Sequence, residues 1–375
     1  MDFTALRGLL RCFPLLGRPR PACPALPDRV TEVVDIAATA TATRDLSDAA
    51  HALNKAALIA SDCGAHDLAR RWCWRHIDTY RQLDCLTVTQ ASYLLEPVLN
   101  LARLQIRADR GEPALQLLRR IYLAVTTGSP LVVDGHTMPT LLHPPIATPG
   151  ARAELRQLHQ WAWLQYLSEG IRVLALAGRW NDAVTHATSL NGIGHHLMDG
   201  RQAAIIAHLL NDQAHRARDV LAESTATESW EHQVEACLAV LCAESRHAPK
   251  LISTMVERFV GTYPVTGYAV FRARLGITVA GLANAHDAYG AGAALHVLQL
   301  AASEAISAGD GYAAREISNH RTGLRLNQTQ QDALDRIVQA AGLGAGTLAG
   351  IALQSLTRAV DAAEQIARAQ HAERD

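Results

Sequence analysis

The sequence predicts an all-α fold built from antiparallel helical hairpins, and three observations carry this prediction. Hydrophobic residues make up 49% of the chain but aromatic residues only 5%, so Ala and Leu, which favour helices, must fill the core. Apolar residues recur at intervals of three and four along most of the chain. Helical runs also break at Gly178 and Asp212, and each break is followed five positions later by a small residue, Ala183 or Ala217.

Residues 1–29 are predicted to form a flexible tail. Five prolines lie between positions 14 and 27 and alternate with Arg18 and Arg20, so a helix cannot be sustained there. Chain termini with such a composition are commonly unordered. An unstructured leader is the preferred interpretation, and a basic arm that contacts a partner is the alternative.

Residues 30–325 are predicted to form an array of helical hairpins. Gly64 ends one helix and Asp109 another, and Pro249 begins a later helix. Residues 128–150 interrupt the array with several prolines and turn-forming residues. Because loops of this length are uncommon inside a compact array and are often functional, this loop is a candidate site.

Residues 326–375 are predicted to form C-terminal capping helices. Asn327 is the expected N-cap of the first of them. The last helix has apolar residues at intervals of three or four from Leu348 to Ile366. This stripe must be covered, either by closing the end of the array, which is preferred, or by a dimer contact. The oligomeric state itself stays open.

The charge balance argues against a nucleic-acid partner. The net charge is -1, which gives no overall field to attract a polyanion or an anionic membrane. Only Lys55 and Lys250 are lysines among 35 basic residues, a bias typical of high-GC coding sequences that suggests an actinobacterial source. Seven cysteines without a CxxC pair favour a reducing compartment, and no apolar run is long enough to span a membrane. The protein is therefore expected to be cytoplasmic.

The hairpin pattern resembles tetratricopeptide-type repeats. Breaks at Gly64, Asp109, Gly178 and Asp212 are each followed five residues later by an alanine, and two further alanines, Ala57 and Ala102, fall at the small position of a first helix. The resemblance implies a right-handed superhelix of antiparallel hairpins, a tetratricopeptide-like α-solenoid, over about residues 45 to 320. It also implies a scaffold that binds a protein or peptide in a groove, with no fixed catalytic residues.

The stretch GIGHHLMDGRQ and the helix after it concentrate polar, titratable residues. Its candidate binding residues are His195, His196, Asp199, Arg201 and His208. His195 and Asp199 lie about one helical turn apart, but a metal needs three or four converging ligands, so no metal and no cofactor are predicted. The alternative is that the histidines cap or stack on their neighbours.

Two other groups of residues are candidates for ligand binding. Trp161 and Trp163 could line a groove, although residues two apart on a helix point in different directions, so at least one should be core. Asp134 and His136, in the loop, could form an acid–base pair, or simply a solvated turn. The glycine-rich run GLGAG at 342–346 is interpreted as a turn between helices.

Together these patterns favour a protein- or peptide-binding helical-repeat scaffold, an accessory or regulatory component of a biosynthetic system. A small-molecule-sensing regulator is one alternative, with its pocket near the paired tryptophans or the 128–150 loop. An enzyme with a His/Asp site near 195–208 or 134–136 is the other, and it requires these groups to converge.

Overall fold

The computed structural model describes residues 8–141, 149–285, 290–320 and 322–372, and within them the chain is mostly α-helical, which confirms the predicted all-α class. Four strands of two residues accompany the helices. The helices are α1 (Leu26–Thr43), α2 (Leu46–Asp62), α3 (His66–Asp78), α4 (Val88–Arg107), α5 (Gly111–Thr127), α6 (Pro149–Leu176), α7 (Trp180–Ser189), α8 (Asp199–Leu210), α9 (Ala214–Ala222), α10 (Ser229–Leu241), α11 (Ala248–Val260), α12 (Ala269–Asn284), α13 (Gly290–Ala308), α14 (Gly311–Ser318), α15 (Gln328–Ala340) and α16 (Gly350–Ala372). The strands are β1 (Cys85–Leu86), β2 (Val132–Val133), β3 (His136–Thr137) and β4 (Thr140–Leu141).

The chain divides into two compact units, each assembled from two stretches of sequence. Unit 1 comprises Met1–Ala25 and Leu174–Ala341, and unit 2 comprises Leu26–Val173 and Gly342–Asp375. The predicted boundaries after residues 29 and 325 are therefore corrected. The two C-terminal helices belong to different units, since α15 packs on α14 within unit 1, whereas α16 packs on α1 and α2 within unit 2.

Six helix breaks among the described residues have the same local geometry. Their break residues adopt a left-handed backbone with φ between 57° and 80°, and an alanine five positions later is fully buried in each case. The pairs are Arg44 with Ala49, Gly64 with Ala69, Asp109 with Ala114, Gly178 with Ala183, Asp212 with Ala217, and Gly309 with Ala314. A left-handed residue ends the first helix, and the buried methyl group leaves room for the second helix to pack closely. The four pairs predicted from the sequence are confirmed, and the structure adds two.

In unit 2, helices α1 to α5 each pack on the next helix in the chain, and α2 also packs directly on α4. The described part of the predicted irregular loop belongs to this unit and is ordered. Strands β2 and β3 form a hairpin whose turn, Asp134 and Gly135, has positive φ at both positions, as a two-residue hairpin turn requires. Leu131, Val133 and Met138 are buried in the core of unit 2. Residues 142–148 of the predicted loop lie outside the described residues.

Gly344 and Gly346 hold the end of α2 by hydrogen bonds. Their amides donate to the carbonyl oxygens of Asp62 (2.9 Å) and Cys63 (2.7 Å), groups that have no partner within their own helix. The glycine-rich run is thus a turn between helices, as predicted. The apolar side of α16 is buried in the same unit, with Leu356 and Val360 fully covered, so the stripe that suggested a dimer contact is already covered within the chain.

Residues 8–25 pack within unit 1, which corrects the predicted flexible tail for this part of the chain. Leu10, Phe13, Leu15 and Cys23 are all buried. Residues 8–10 are helical, whereas residues 13–25, which contain the prolines, form no helix. The backbone of this second part still finds hydrogen-bond partners within unit 1, so order does not require regular secondary structure. Residues 26–29 open α1, and residues 1–7 lie outside the described residues.

Arg272 ties four helices of unit 1 together. This arginine of α12 is buried and donates to Glu304 of α13 (2.7 and 2.9 Å), to Gln233 of α10 (3.2 Å) and to the carbonyl oxygen of Phe259 in α11 (3.3 Å). Its guanidinium carbon also lies 3.9 Å from the centre of the Phe259 ring.

In the part of the chain that the structure describes, every helix is too short or too polar to cross a membrane.

Candidate functional site

A stripe of polar side chains crosses three helices of unit 2. On α4 its members recur at intervals of four, three and four residues, which places them on one helix face, whereas Leu94, Val98 and Leu101 on the other side are buried in the core. We call this set the polar stripe: Asn54 and Asp62 on α2, Glu96, Asn100, Arg103 and Arg107 on α4, and Gln165, Glu169 and Arg172 on α6. Sequence reasoning missed it, although the spacing of the four α4 residues within an apolar helix was a readable signal.

One end of the polar stripe is a continuous hydrogen-bonded chain. Asn54 donates to a carboxylate oxygen of Glu96 (2.9 Å) and accepts from the amide of Asn100 (2.6 Å). Arg103 donates from Nε to Glu169 (2.9 Å) and from a terminal nitrogen to Gln165 (3.3 Å). These side chains therefore fix one another in position across the three helices.

The other end of the polar stripe is centred on Asp62. Arg107 donates to one carboxylate oxygen of Asp62 (2.9 Å) and Arg29 to the other (2.5 Å). Arg107 also donates to the hydroxyl of Ser61. A carboxylate held by two guanidinium groups can be buried without the large cost of an unpaired charge.

The two signs of charge differ in exposure along the polar stripe. The side chains of Asp62 and Glu169 are 2% and 11% exposed, whereas those of Arg103, Arg107 and Arg172 are 37%, 37% and 54% exposed. Guanidinium groups therefore dominate the part that faces solvent, and each has more N–H donors than its internal partners use. This arrangement favours an anionic ligand.

The two glutamates of the polar stripe have opposite pKa shifts. Burial opposes ionisation of Glu169, but the guanidinium groups of Arg103 and Arg172 outweigh it and hold the pKa of this carboxyl below its usual value. Burial raises the pKa of Glu96, and Arg103 only partly offsets the increase.

The predicted tryptophans of α6 lie at different positions relative to the polar stripe. Trp161 is half-buried against the core of unit 2 and lies four residues before Gln165, so both are on the same helix face. Trp163, also half-buried, points elsewhere. On the same helix, Tyr166 stacks on Tyr122 of α5 with ring centres 5.2 Å apart.

Asp134 and His136 bind different neighbours on α3. Asp134 forms an ion pair with Arg70 (2.8 Å), and His136 packs edge-on against Trp74 with ring centres 5.4 Å apart. Both loop residues are exposed. These contacts attach the β2–β3 hairpin to α3. Asp134 and His136 are therefore paired with α3 residues and not with each other.

The predicted cluster at 195–208 lies in unit 1, and its members also have separate partners. His195 and His196 are exposed, and His196 lies 3.1 Å from a carboxylate oxygen of Glu231. Arg201 is buried and donates to Ser224 and to the carbonyl oxygens of Val220 and Gly194. Asp199 and His208 have other partners again, Arg18 (2.9 Å) and Gln213 (2.8 Å). Among the described residues no group of three or more His, Cys, Asp or Glu could hold a metal ion.

Glu231 organises the loop before α8, a role that sequence reasoning missed. This buried carboxylate accepts from the backbone amides of Leu197, Thr227 and Glu228 and from the ring of His196. Burial opposes its ionisation, but these hydrogen bonds prevail and lower its pKa. Glu228 and Glu231 form a capping box at the start of α10, but the pair lacks the Ser or Thr by which such a box is recognised in a sequence.

Unit 1 also contains an open cavity of about 380 Å³ between α9, α10 and α11. Its floor includes Ala236, Ala239 and Ala243, which recur at intervals of three and four. The ion pairs Arg218 with Glu244 (3.6 Å) and Arg258 with Glu235 (3.4 Å) lie at its edges. The sequence alone did not indicate this cavity.

Comparisons with known proteins add little to this geometry. No protein-family model matches the chain, and no curated protein matches it. One solved structure, described as a "Circular tandem repeat protein with novel repeat topology and enhanced subunit contact surfaces", aligns with 93% of this chain and 88% of its own, at 12% sequence identity and a TM-score of 0.20. At that score the likeness carries no argument about arrangement or function.

Proposed function

We propose that this protein is a cytoplasmic helical-hairpin scaffold of the tetratricopeptide type that binds a protein or peptide partner, as an accessory or regulatory component of a biosynthetic system. The recurrence of a left-handed break with a buried alanine five residues later supports the repeat assignment. Hairpins that repeat this geometry would stack into a right-handed superhelix whose first helices line an inner face.

The polar stripe is the observation that carries the proposal. It lies on α2, α4 and α6, and α2 and α4 are the first helices of their hairpins. Its exposed part is rich in guanidinium groups, and the carboxylates of Asp62 and Glu169 are buried. The partner we propose is therefore a carboxylate-bearing peptide segment, bound by charge-assisted hydrogen bonds from Arg103, Arg107 and Arg172.

Fluorescence anisotropy with three sets of labelled dodecapeptides tests this proposal. The sets share their apolar residues and carry either Glu and Asp, the corresponding amides, or Lys. We expect only the acidic set to bind, and the double variant Arg107→Gln/Arg172→Gln to weaken binding at least tenfold, since each lost charge-assisted bond is worth about 1.5–3 kcal/mol.

The matched control is Arg71→Ala, which removes an exposed arginine of α3 outside the polar stripe. Far-UV circular dichroism would establish that all variants keep their helices. Equal binding of all three sets, or acidic binding that the double variant leaves unchanged, would contradict the proposal.

The cavity between α9, α10 and α11 favours a second function, the sensing of a small molecule. Its volume of about 380 Å³ is within the range of ligand sites, and its alanine floor offers an apolar surface between charged edges. A thermal-shift screen of amphipathic metabolites would test it. The stabilisation by a hit should disappear in Ala239→Leu, which fills the cavity, and persist in Ala38→Leu, a change on the exposed face of α1.

A further inference from the structure

Residues 8–25 begin with a short helical turn at 8–10, and residues 13–25 then run without helix or strand across helices of unit 1. The segment contacts α8 through Gln202, α10 through Trp230, α12 through Gly281, and the first residue of α14, Gly311, whose amide donates to the carbonyl oxygen of Cys23 (2.9 Å). The segment thus contacts four helices of unit 1, as an extended peptide lying across them would.

Gln202 recognises the backbone of this segment. Its side-chain oxygen accepts from the amide of Leu15 (2.8 Å), and its side-chain nitrogen donates to the carbonyl oxygen of the same residue (2.7 Å). The backbone amide of Arg20 donates in turn to the carbonyl oxygen of Gly267 (3.0 Å). Gln202 is fully buried, and its side-chain nitrogen also donates to the carbonyl oxygen of Leu197 (2.6 Å). Removing the segment without a replacement would therefore leave the buried side-chain oxygen without the donor that Leu15 supplies.

Four side-chain positions add selectivity to this backbone recognition. Phe13 and Leu15 are 4% and 1% exposed, so their rings and methyl groups fill closed spaces. At Gly17 any Cβ would lie 2.2 Å from the indole of Trp230, so only glycine fits. Arg18 reaches the buried carboxylate of Asp199 (2.9 Å) while its own side chain stays 41% exposed.

We infer that unit 1 contains a binding site for an extended peptide, and that residues 13–20 occupy this site in cis as a built-in competitor. The partner it fits is an extended segment with apolar residues at the positions of Phe13 and Leu15, glycine at that of Gly17, and arginine at that of Arg18. Its contacts combine backbone hydrogen bonds with four side-chain requirements, a combination that a segment from another protein can reproduce. The site is in unit 1, so it stands independently of the polar stripe.

The probe is a fluorescein-labelled peptide with the sequence of residues 8–25, kept reduced because it contains Cys12 and Cys23. The full chain is compared with Leu15→Asp/Arg18→Glu, which weakens the cis segment and leaves the helices that hold it unchanged. We expect the variant to bind the peptide at least tenfold more tightly than wild type. We also expect the peptide to raise the melting temperature of the variant and not that of wild type.

Two matched changes locate the binding. In the weakened chain, Gln202→Ala should reduce peptide binding at least tenfold, whereas Arg216→Ala, on the exposed face of α9, should not affect it. A peptide carrying Gly17→Val should fail to bind because of Trp230. Arg107→Gln/Arg172→Gln should leave this binding intact, which separates the result from the fate of the polar stripe.

Three outcomes would overturn the inference. The weakened chain could stay folded and bind no peptide, or it could lose its cooperative transition without recovering it on adding peptide, and either result would make the segment a fixed part of the core. The third outcome would be seen by light scattering. If the weakened or wild-type chain is a dimer that dissociates on saturation with peptide, the site binds a second copy of the chain instead.

Discussion

Asp109 ends α4 with a left-handed backbone, φ 57°, and Ala114, five residues later, is fully buried in α5. The first residue sets where the chain reverses, and the second sets how closely the two helices can approach. The same relationship recurs at five other breaks, so it is a repeated structural element of this chain.

Ala114→Leu tests the need for a small residue at this position. The added methylene groups have no space in a packed core, so we expect unfolding to become easier by about 1–3 kcal/mol. Urea unfolding followed by circular dichroism measures the change. Ala38→Leu, on the exposed face of α1, is the control and should stay within about 0.5 kcal/mol of wild type.

Asp109→Gly tests the break itself. Because glycine adopts positive φ without steric cost, we expect relief of strain to stabilise the protein by roughly 0.5–1 kcal/mol, reduced by the extra conformational entropy that glycine gives the unfolded chain. Glu112→Gly, inside the first turn of α5, should instead destabilise it by about 1 kcal/mol. Equal effects of the two glycines on the urea midpoint would show that the left-handed backbone at Asp109 carries no strain.

The buried His76 predicts that acid destabilises the core of unit 2. Its ring is 1% exposed, neither nitrogen has a hydrogen-bond partner among the described residues, and burial lowers its pKa to about 3. The unfolded chain, with a histidine pKa of about 6.5, takes up this proton first. The stability due to neutral His76 is thus fully present above about pH 6.5 and is lost, by up to about 1.4 kcal/mol per pH unit, as pH falls towards 3.

His76→Phe should remove this contribution. We expect the difference in unfolding free energy between variant and wild type to grow in favour of the variant as pH falls from 7.5 to 4.5. His66→Phe, at the exposed start of α3, is the control and should leave the pH dependence almost unchanged. A difference that stays constant with pH would mean that His76 titrates normally in the folded protein.

Substitutions of Arg272 and Glu304 in unit 1 should have non-additive effects on stability. Arg272→Ala leaves Glu304 as an uncompensated charge, 13% exposed, and should cost about 3–5 kcal/mol. The double variant Arg272→Met/Glu304→Leu removes both charges and should recover most of that loss. Arg336→Ala, an exposed change on α15, serves as the control. Thermal unfolding of Arg272→Met and Glu304→Leu separately completes the comparison, and a double variant that loses as much stability as the sum of these two single variants would contradict the pairing.

Local signals explain which parts of this structure could be predicted. Helix breaks at Gly64, Asp109, Gly178 and Asp212, the cap at Asn327 and the turn at 342–346 depend on residues within a few positions of one another. Backbone preference and capping act over that range, so these features are readable from the sequence alone. The polar stripe was partly readable in the same way, because the four members on α4 follow helical spacing.

Contacts between distant residues explain the features that the sequence did not reveal. Gln202 holds Leu15 across 187 positions, and Arg75 on α3 donates to Glu364 on α16 (2.6 Å) across 289. Composition classed residues 8–25 as part of a tail because prolines forbid a helix, yet Leu10, Phe13, Leu15 and Cys23 are buried by helices far along the chain. Pairings of this kind depend on which apolar surfaces meet after the helices form.

The sequence by itself determined that this protein is a set of helical hairpins, where they break, and which small side chains they bury, because these properties arise from local backbone and side-chain preferences. Only the tertiary structure decided that α16 completes unit 2, that residues 8–25 lie on unit 1, and which polar side chains share a surface. Those outcomes come from burial and hydrogen bonding between surfaces that are remote in the chain, and no local pattern specifies them.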